Sequence, residues 1–136
     1  MKRLATYLTL VVVAHAVIVV WHLSVLAKIP PGLTGQQALT ASIAIDAVPL
    51  VGLVLLWWRY PRLASVLIFI PLAVGFCAGG FEHFLSSGRD NVFRMAATEW
   101  RLPYAVSAVL LVILELCGCL LCIRVFGKSR SGQLQN

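Results

Sequence analysis

Four uninterrupted apolar stretches constrain this 136-residue chain more than any other feature of its sequence. Each stretch has about twenty residues, the length that an α-helix needs to cross a hydrocarbon layer of roughly 30 Å. Strands are a poor alternative, because the stretches do not alternate between polar and apolar residues and a membrane barrel needs at least about eight strands. The predicted helices cover residues 4–27, 39–58, 63–85 and 102–126, followed by a flexible tail over residues 127–136.

The composition agrees with one integral membrane domain over residues 1–136. Hydrophobic residues make up 60% of the chain and charged residues only 12%, whereas soluble domains have roughly half and a quarter. So small a soluble domain could not bury this much apolar surface. The sequence therefore predicts an all-α membrane protein, a four-transmembrane-helix up-and-down bundle surrounded by the lipid bilayer.

The distribution of basic residues predicts the orientation of this bundle. A net charge of +6 would suggest nucleic acid as a partner of a soluble protein, but here the position of each charge matters more, and we expect no nucleic-acid binding. By the positive-inside rule, the end with more basic residues is cytoplasmic. The sequence thus predicts cytoplasmic N and C termini in a cell inner (plasma) membrane. Seven basic residues lie at that end (Lys2, Arg3, Arg59, Arg62, Arg124, Lys128 and Arg130) and four at the other (Lys28, Arg89, Arg94 and Arg101).

Ionisable residues inside the predicted helices form the candidate site. A charged carboxylate at mid-membrane costs roughly 2.5 to 3.5 kcal/mol on insertion scales, whereas a Leu or Ile returns only about 0.3 to 0.6 kcal/mol, so each carboxyl group needs a reason. Counting from the outer helix ends places four of the residues in the outer third of the bundle and two near its middle. The outer four are His22, Asp46, Glu82 and His83, and the middle two are His15 and Glu115.

Helix geometry predicts which of these side chains face the interior. His15 and His22 are seven residues apart and therefore share one helix face. Gly75 and Gly79 form a small-xxx-small pattern that allows close helix approach, and the same face leads to Glu82 and His83. By depth, we expect an intramembrane polar pair between His15 and Glu115, and a second pair between His22 and Asp46.

Several chemistries fit this set of side chains, and no spacing among them is a specific motif. The groups could be hydrogen-bonded clasps that fix the helix arrangement. The outer four, His22, Asp46, Glu82 and His83, could bind a metal ion, and two histidines from different helices could bind haem. A carboxyl beside a histidine could also exchange protons, either in a small transporter acting as an oligomer or in an acid/base enzyme with a lipophilic substrate.

The four cysteines also lie inside the predicted helices. Cys119 and Cys122 are three residues apart on one helix face, so a soft-metal or thiol-redox site is conceivable there. Small apolar packing is the usual role of a cysteine in a membrane helix.

The layout resembles small bacterial four-helix membrane proteins of the DoxX-like kind. The resemblance rests on a histidine near the outer end of the first helix, the sequence Gly-Gly-Phe-Glu-His-Phe at residues 79–84, and Trp-Arg-Leu-Pro at residues 100–103 before a Leu-rich helix. It carries no catalytic residue over to this chain. We therefore expect an accessory or structural membrane component that associates with another membrane protein or with itself. The alternative is a metal-binding, haem-binding or proton-handling protein.

Overall fold

The described part of the chain forms four apolar helical segments. The computed structural model describes residues 2–29, 43–88, 90–95 and 97–131. Within these residues there is no β-strand. The helical elements are α1 (Lys2–Leu26), the π-helical turn π1 (Ile43–Ala47), α2 (Val48–Trp57), α3 (Pro61–Val74), the π-helical segments π2 (Gly75–Gly79) and π3 (Phe81–Leu85), and α4 (Arg101–Ser131).

Three of these segments are long and apolar enough to cross a membrane. They are Lys2–Leu26, Pro61–Leu85 and Arg101–Ser129, whereas the second apolar helix, Ile45–Trp57, is shorter within the described residues. The predicted start of the second helix at residue 39 lies outside the described residues. The fourth helix continues to Ser131 and does not end at Phe126, so the predicted tail is helical over its first residues. Length and composition are those of a multi-pass membrane protein.

The helices pack as neighbours in the order α1, α4, α3, α2. The most extensive contacts join α1 with α4, α3 with α4 and α2 with α3, whereas α1 meets α2 over a much smaller surface within the described residues. Large apolar side chains such as Leu10, Val17 and Ile113 point outward and are at least half exposed. An apolar exterior of this kind suits contact with lipid.

A heptad-like seam joins α1 to α4. The buried residues of both helices recur mainly at steps of three and four, as in left-handed coiled coils. The two helices run antiparallel. Along α1 from its end toward its start, His22 contacts Ser107, His15 contacts Glu115, and Val11 lies beside a Cβ atom built at Gly118. The buried positions are Ala5, Leu8, Val12, His15, Val19, His22 and Val25 on α1, and Tyr104, Ser107, Ala108, Leu111, Glu115, Gly118, Cys122 and Val125 on α4.

Proline and glycine interrupt the regular α-helix in the second and third segments. Pro49 follows π1 and cannot donate a hydrogen bond to the carbonyl of Ile45, and Pro71 has the same effect on the carbonyl of Leu67. Beyond Pro71, the third segment continues as π2 and π3. Such widened turns occur frequently at functional sites.

A tight turn connects α2 to α3. Arg59 has a φ of 72°, the left-handed conformation that favours glycine. The amide of Tyr60 donates to the carbonyl of Leu55 at 2.9 Å, and the amide of Trp58 donates to that of Val54 at 3.0 Å. The six-to-one bond from Tyr60 ends the helix as in a Schellman motif, with arginine where glycine is usual.

We predict that Arg59→Gly stabilises the protein. A left-handed conformation costs an L-residue about 1 to 2 kcal/mol, and glycine lacks this cost but loses more backbone entropy, so the expected net gain is about 1 kcal/mol. Thermal unfolding in mild detergent, followed by circular dichroism, measures the change. Arg59→Ala is the matched control, because it removes the side chain and keeps the strained backbone. An equal gain in both variants would contradict the backbone explanation.

Candidate functional site

The deeper of two polar layers is centred on His15. This side chain is only 1% exposed, and its two ring nitrogens face carboxyl groups from two other helices. Nε2 lies 3.4 Å from Oε1 of Glu115 on α4, and Nδ1 lies 3.7 Å from Oδ1 of Asp46 in π1. We call Asp46, His15 and Glu115 the inner layer. One imidazole thus lies between two acids in the interior of the bundle.

Gly75 provides the space for the Glu115 carboxyl group. A Cβ atom built on Gly75 would collide with Oε1 of Glu115. The third helix therefore approaches α4 at this level only because Gly75 has no side chain, as the small-residue pattern predicted. All four helical segments meet at the inner layer, since π1, α1 and α4 each contribute one ionisable side chain and π2 contributes the gap.

Asp46 is only partly satisfied in this layer. Its Oδ1 atom is buried and has no hydrogen-bond partner among the described residues. The distance of 3.7 Å to Nδ1 of His15 is too long for a hydrogen bond. A buried oxygen without a partner is costly in an apolar interior. A small shift of π1 toward α1 would bring Oδ1 of Asp46 within hydrogen-bond distance of Nδ1 of His15.

The outer layer consists of His22, His83, Tyr104 and Ser107. The rings of His22 and His83 lie 5.0 Å apart, measured between centroids, at an interplanar angle of 61°. The ring of Tyr104 lies 4.7 Å from that of His22. Nδ1 of His22 lies 2.9 Å from the hydroxyl oxygen of Ser107, which itself donates to the carbonyl of Tyr104 at 2.8 Å. The α1–α4 seam thus fixes the orientation of His22.

A second hydrogen-bond chain orients His83. The hydroxyl group of Tyr104 lies 2.9 Å from Nδ1 of His83 and donates to the carbonyl of Asp90, also at 2.9 Å. The amide of Val92 donates to the carbonyl of His83 at 2.9 Å. These contacts fasten the segment after the third helix over the outer layer. Tyr104 is fully buried and connects α4 with this segment.

Of the two side-chain pairs predicted from the sequence, the structure contains one. His15 and Glu115 are in contact, whereas the expected pairing of His22 with Asp46 is wrong, because Asp46 lies one layer deeper, against His15. The sequence does not determine how far one helix is shifted along its neighbour, so counting from residue 39 misplaced this carboxyl group.

Glu82 is exposed at the outer end, whereas His83 turns inward. Adjacent helical residues point about 100° apart, so the two side chains face different surroundings.

The predicted four-residue metal site of His22, Asp46, Glu82 and His83 is therefore not formed. Within the described ranges, no group of three or more His, Cys, Asp and Glu side chains is arranged to hold a metal ion. His22 and His83 remain adjacent, but their rings are in direct edge contact, which leaves no room for a haem plane between them. Only the two histidines of the predicted set share one layer.

All four cysteines carry free thiols, and two of them pack with apolar residues. Cys122 is 1% exposed and belongs to the apolar core with Leu8 and Leu72, and Cys119 packs against that core. Cys77 and Cys117 are exposed. These surroundings favour the packing interpretation of Cys119 and Cys122 over a soft-metal or redox site.

Sequence reasoning missed Tyr104 and Ser107. Both are completely buried and take part in the outer layer. Tyr104 is eleven residues, or about three turns, before Glu115, so the two share one helix face. That periodicity would have placed Tyr104 on the interior face of α4 if the polar face had been followed beyond Glu115.

Comparison with known proteins identifies no family for this chain. No protein-family model matches the chain, and neither a curated protein nor a solved structure shows significant similarity to it. The resemblance to DoxX-like proteins therefore stays a prediction.

We predict that Gly75→Ala destabilises the protein by about 1 to 3 kcal/mol, the usual cost of overpacking a core. The added methyl group would displace the carboxyl group of Glu115 from the position it holds beside His15. Gly80→Ala is the matched control, because a Cβ atom at Gly80 meets nothing within 4 Å. The measurement is thermal unfolding in detergent. Equal effects of the two substitutions would contradict the close approach of π2 to α4.

Proposed function

We propose that this chain is a multi-pass protein of a bacterial-type inner membrane that binds and releases protons at the inner layer. One observation carries the proposal: both ring nitrogens of the buried His15 face carboxyl oxygens, from Asp46 and Glu115, on two different helices. A neutral imidazole carries a single N–H group and can donate to only one of these acids. The protons that the three groups hold therefore determine whether His15 donates to Glu115 or accepts from it.

The number of protons in the inner layer determines its electric charge. The three side chains are electrically neutral together when they hold two titratable protons. Either both carboxyl groups are protonated beside a neutral imidazole, or an imidazolium lies beside one carboxylate and one protonated carboxyl group. Loss of one proton leaves a net charge of −1, which an apolar interior disfavours. Within the described part of the chain, Asp46 and Glu115 make ion-pair contacts with His15 alone. The charge of the layer is thus set by its own protons.

The small size of the bundle limits the ways in which the chain could move protons. Four helices in a monomer leave little width for a water-filled path. Transport across the whole membrane would therefore require a homo-oligomer, whereas acid/base chemistry on a lipophilic substrate would not. We favour proton exchange coupled to a partner or a second copy of the chain, since the interior of the bundle is closely packed around His15, which is 1% exposed.

Infrared difference spectroscopy on pH change tests the proposal in purified protein. We expect the carbonyl stretch of a buried carboxylic acid, which shifts in D₂O, to change in intensity with pH. The change should be lost or displaced in Glu115→Gln and in Asp46→Asn, because each removes one acid of the inner layer. Glu82→Gln is the control, since Glu82 is exposed at the outer end and its loss should leave the buried signal unchanged.

Two outcomes would contradict proton exchange at this layer. A buried carboxyl band that does not vary with pH would indicate a fixed hydrogen-bonded clasp, which suits an accessory or structural role. A pH-dependent band that persists unchanged in both Glu115→Gln and Asp46→Asn would place the exchanging group elsewhere. Helix content measured by circular dichroism on the same samples distinguishes either outcome from unfolding.

The proposed orientation places both chain termini in the cytoplasm. In a variant with all four native cysteines replaced by serine, we predict that Ser87→Cys reacts with a membrane-impermeant maleimide in intact cells. Ser129→Cys should react only after the cells are opened. Ser87 is exposed in the turn after the third helix, and Ser129 lies near the end of α4, where its carbonyl accepts a hydrogen bond from Arg62. The reverse pattern would invert the topology.

A further inference from the structure

The hydrogen bonds of the outer layer determine which nitrogen of His22 carries its proton. The hydroxyl group of Ser107 has one hydrogen, which it donates to the carbonyl of Tyr104 at 2.8 Å. At its 2.9 Å contact with His22 the same hydroxyl oxygen then accepts, which assigns the donor role to Nδ1 of His22. The neutral ring then has its lone pair on Nε2.

The contacts of His83 assign its tautomer as well. Nδ1 of His83 lies 2.9 Å from the hydroxyl oxygen of Tyr104 and 3.3 Å from the carbonyl oxygen of Asp90. A carbonyl oxygen can only accept, and the Tyr104 hydroxyl satisfies it by donating at 2.9 Å. Both contacts of His83 are satisfied when Nδ1 carries the proton and donates to Tyr104. Its lone pair is again on Nε2.

The separation of the two rings matches that of two imidazoles bound to one metal ion. A Zn–N bond is about 2.0 to 2.1 Å, and the ring centroid lies about 1 Å beyond the nitrogen, so tetrahedral geometry places two bound imidazoles about 5 Å apart. The centroids of His22 and His83 are 5.0 Å apart. Histidine ligands of metals usually donate their other N–H group to an oxygen that orients the ring, as both rings do here.

Gly79 leaves space beside the free nitrogen of His83. A Cβ atom built at Gly79 would have Cδ2 and Nε2 of His83 as its nearest neighbours, at 3.9 and 4.0 Å. With glycine at this position, no side chain of π2 covers Nε2 from that direction. Gly79 is itself partly exposed, so the space is open to the surroundings of the bundle.

We propose that His22 and His83 together bind one divalent transition-metal ion, such as Zn²⁺, through their Nε2 atoms. Two coordination positions remain for water or a small ligand. Imidazole nitrogen is a preferred ligand of zinc, copper and nickel, which narrows the class of ion. With two protein ligands the affinity is expected to be moderate. This site is separate from the inner layer and does not depend on proton exchange there.

Equilibrium dialysis of Zn²⁺ tests the proposal on protein purified in mild detergent without a polyhistidine tag. We expect one Zn²⁺ per chain, an affinity at least tenfold lower in His22→Gln and in His83→Gln, and no binding in the double variant. His15→Gln, which removes the remaining histidine, should bind as the wild type does. This variant also separates the metal site from the proposed proton exchange, which it would abolish.

A pair of serine variants tests the orienting hydrogen bond. Ser107→Ala removes the acceptor that holds His22 and should weaken Zn²⁺ binding about 10-fold to 100-fold. Ser65→Ala is the matched control, because Ser65 is equally buried but donates to the carbonyl of Pro61 at 2.6 Å, near the start of α3. Unaltered circular dichroism shows that a variant is folded. Absence of Zn²⁺ binding by the wild type, or equal binding by the folded His22→Gln, His83→Gln double variant, would overturn the proposal.

Discussion

The seam between α1 and α4 is the interaction on which both polar layers depend. His15 and His22 occupy positions of the three-and-four repeat that are usually apolar, with Val12 and Val19 as the neighbouring members on α1. Since the helices run antiparallel, each step toward the start of α1 meets a step toward the end of α4, and the two histidines face Glu115 and Ser107 in turn. Apolar packing at Leu8, Cys122 and Val125 holds this register. The polar contacts are therefore placed by packing that does not itself involve them.

The second and third helices complete the layers with segments that are not regular α-helix. Asp46 reaches His15 from π1, Gly75 in π2 makes room for Glu115, and His83 reaches His22 from π3. A π-helical turn inserts residues into the helix and changes the direction in which the following side chains point. Pro49 and Pro71 lie next to these segments and remove backbone donors there. The irregular part of each helix is thus the part that contributes to a layer.

The sequence predicts the helices well, but it predicts only some of the side-chain contacts between them. Uninterrupted apolar length identified the helical segments, and a spacing of seven put His15 and His22 on one face, where the structure has them. Periodicity, however, gives rotation about a helix axis and not translation along it. For this reason Asp46 was assigned to His22 and lies against His15 instead. Glu82 and His83 could not be separated without the local helix geometry, and Tyr104 and Ser107 were overlooked because neither is ionisable in the usual range.

The two layers differ in the oxygen atoms around their histidines, and this difference separates their chemistry. His15 faces two carboxyl groups, which can give or take a proton, so the number of protons in the inner layer can vary. His22 and His83 face hydroxyl and backbone carbonyl oxygens, and we assign Nδ1–H as the donor on both rings, with the lone pair on Nε2. Seven residues of α1 separate His15 from His22, or about 10 Å, and the buried Val19 and Leu111 lie between the layers. No described hydrogen bond crosses this apolar interval. The proposed proton exchange and the proposed metal binding therefore rest on different side chains of the same helix seam.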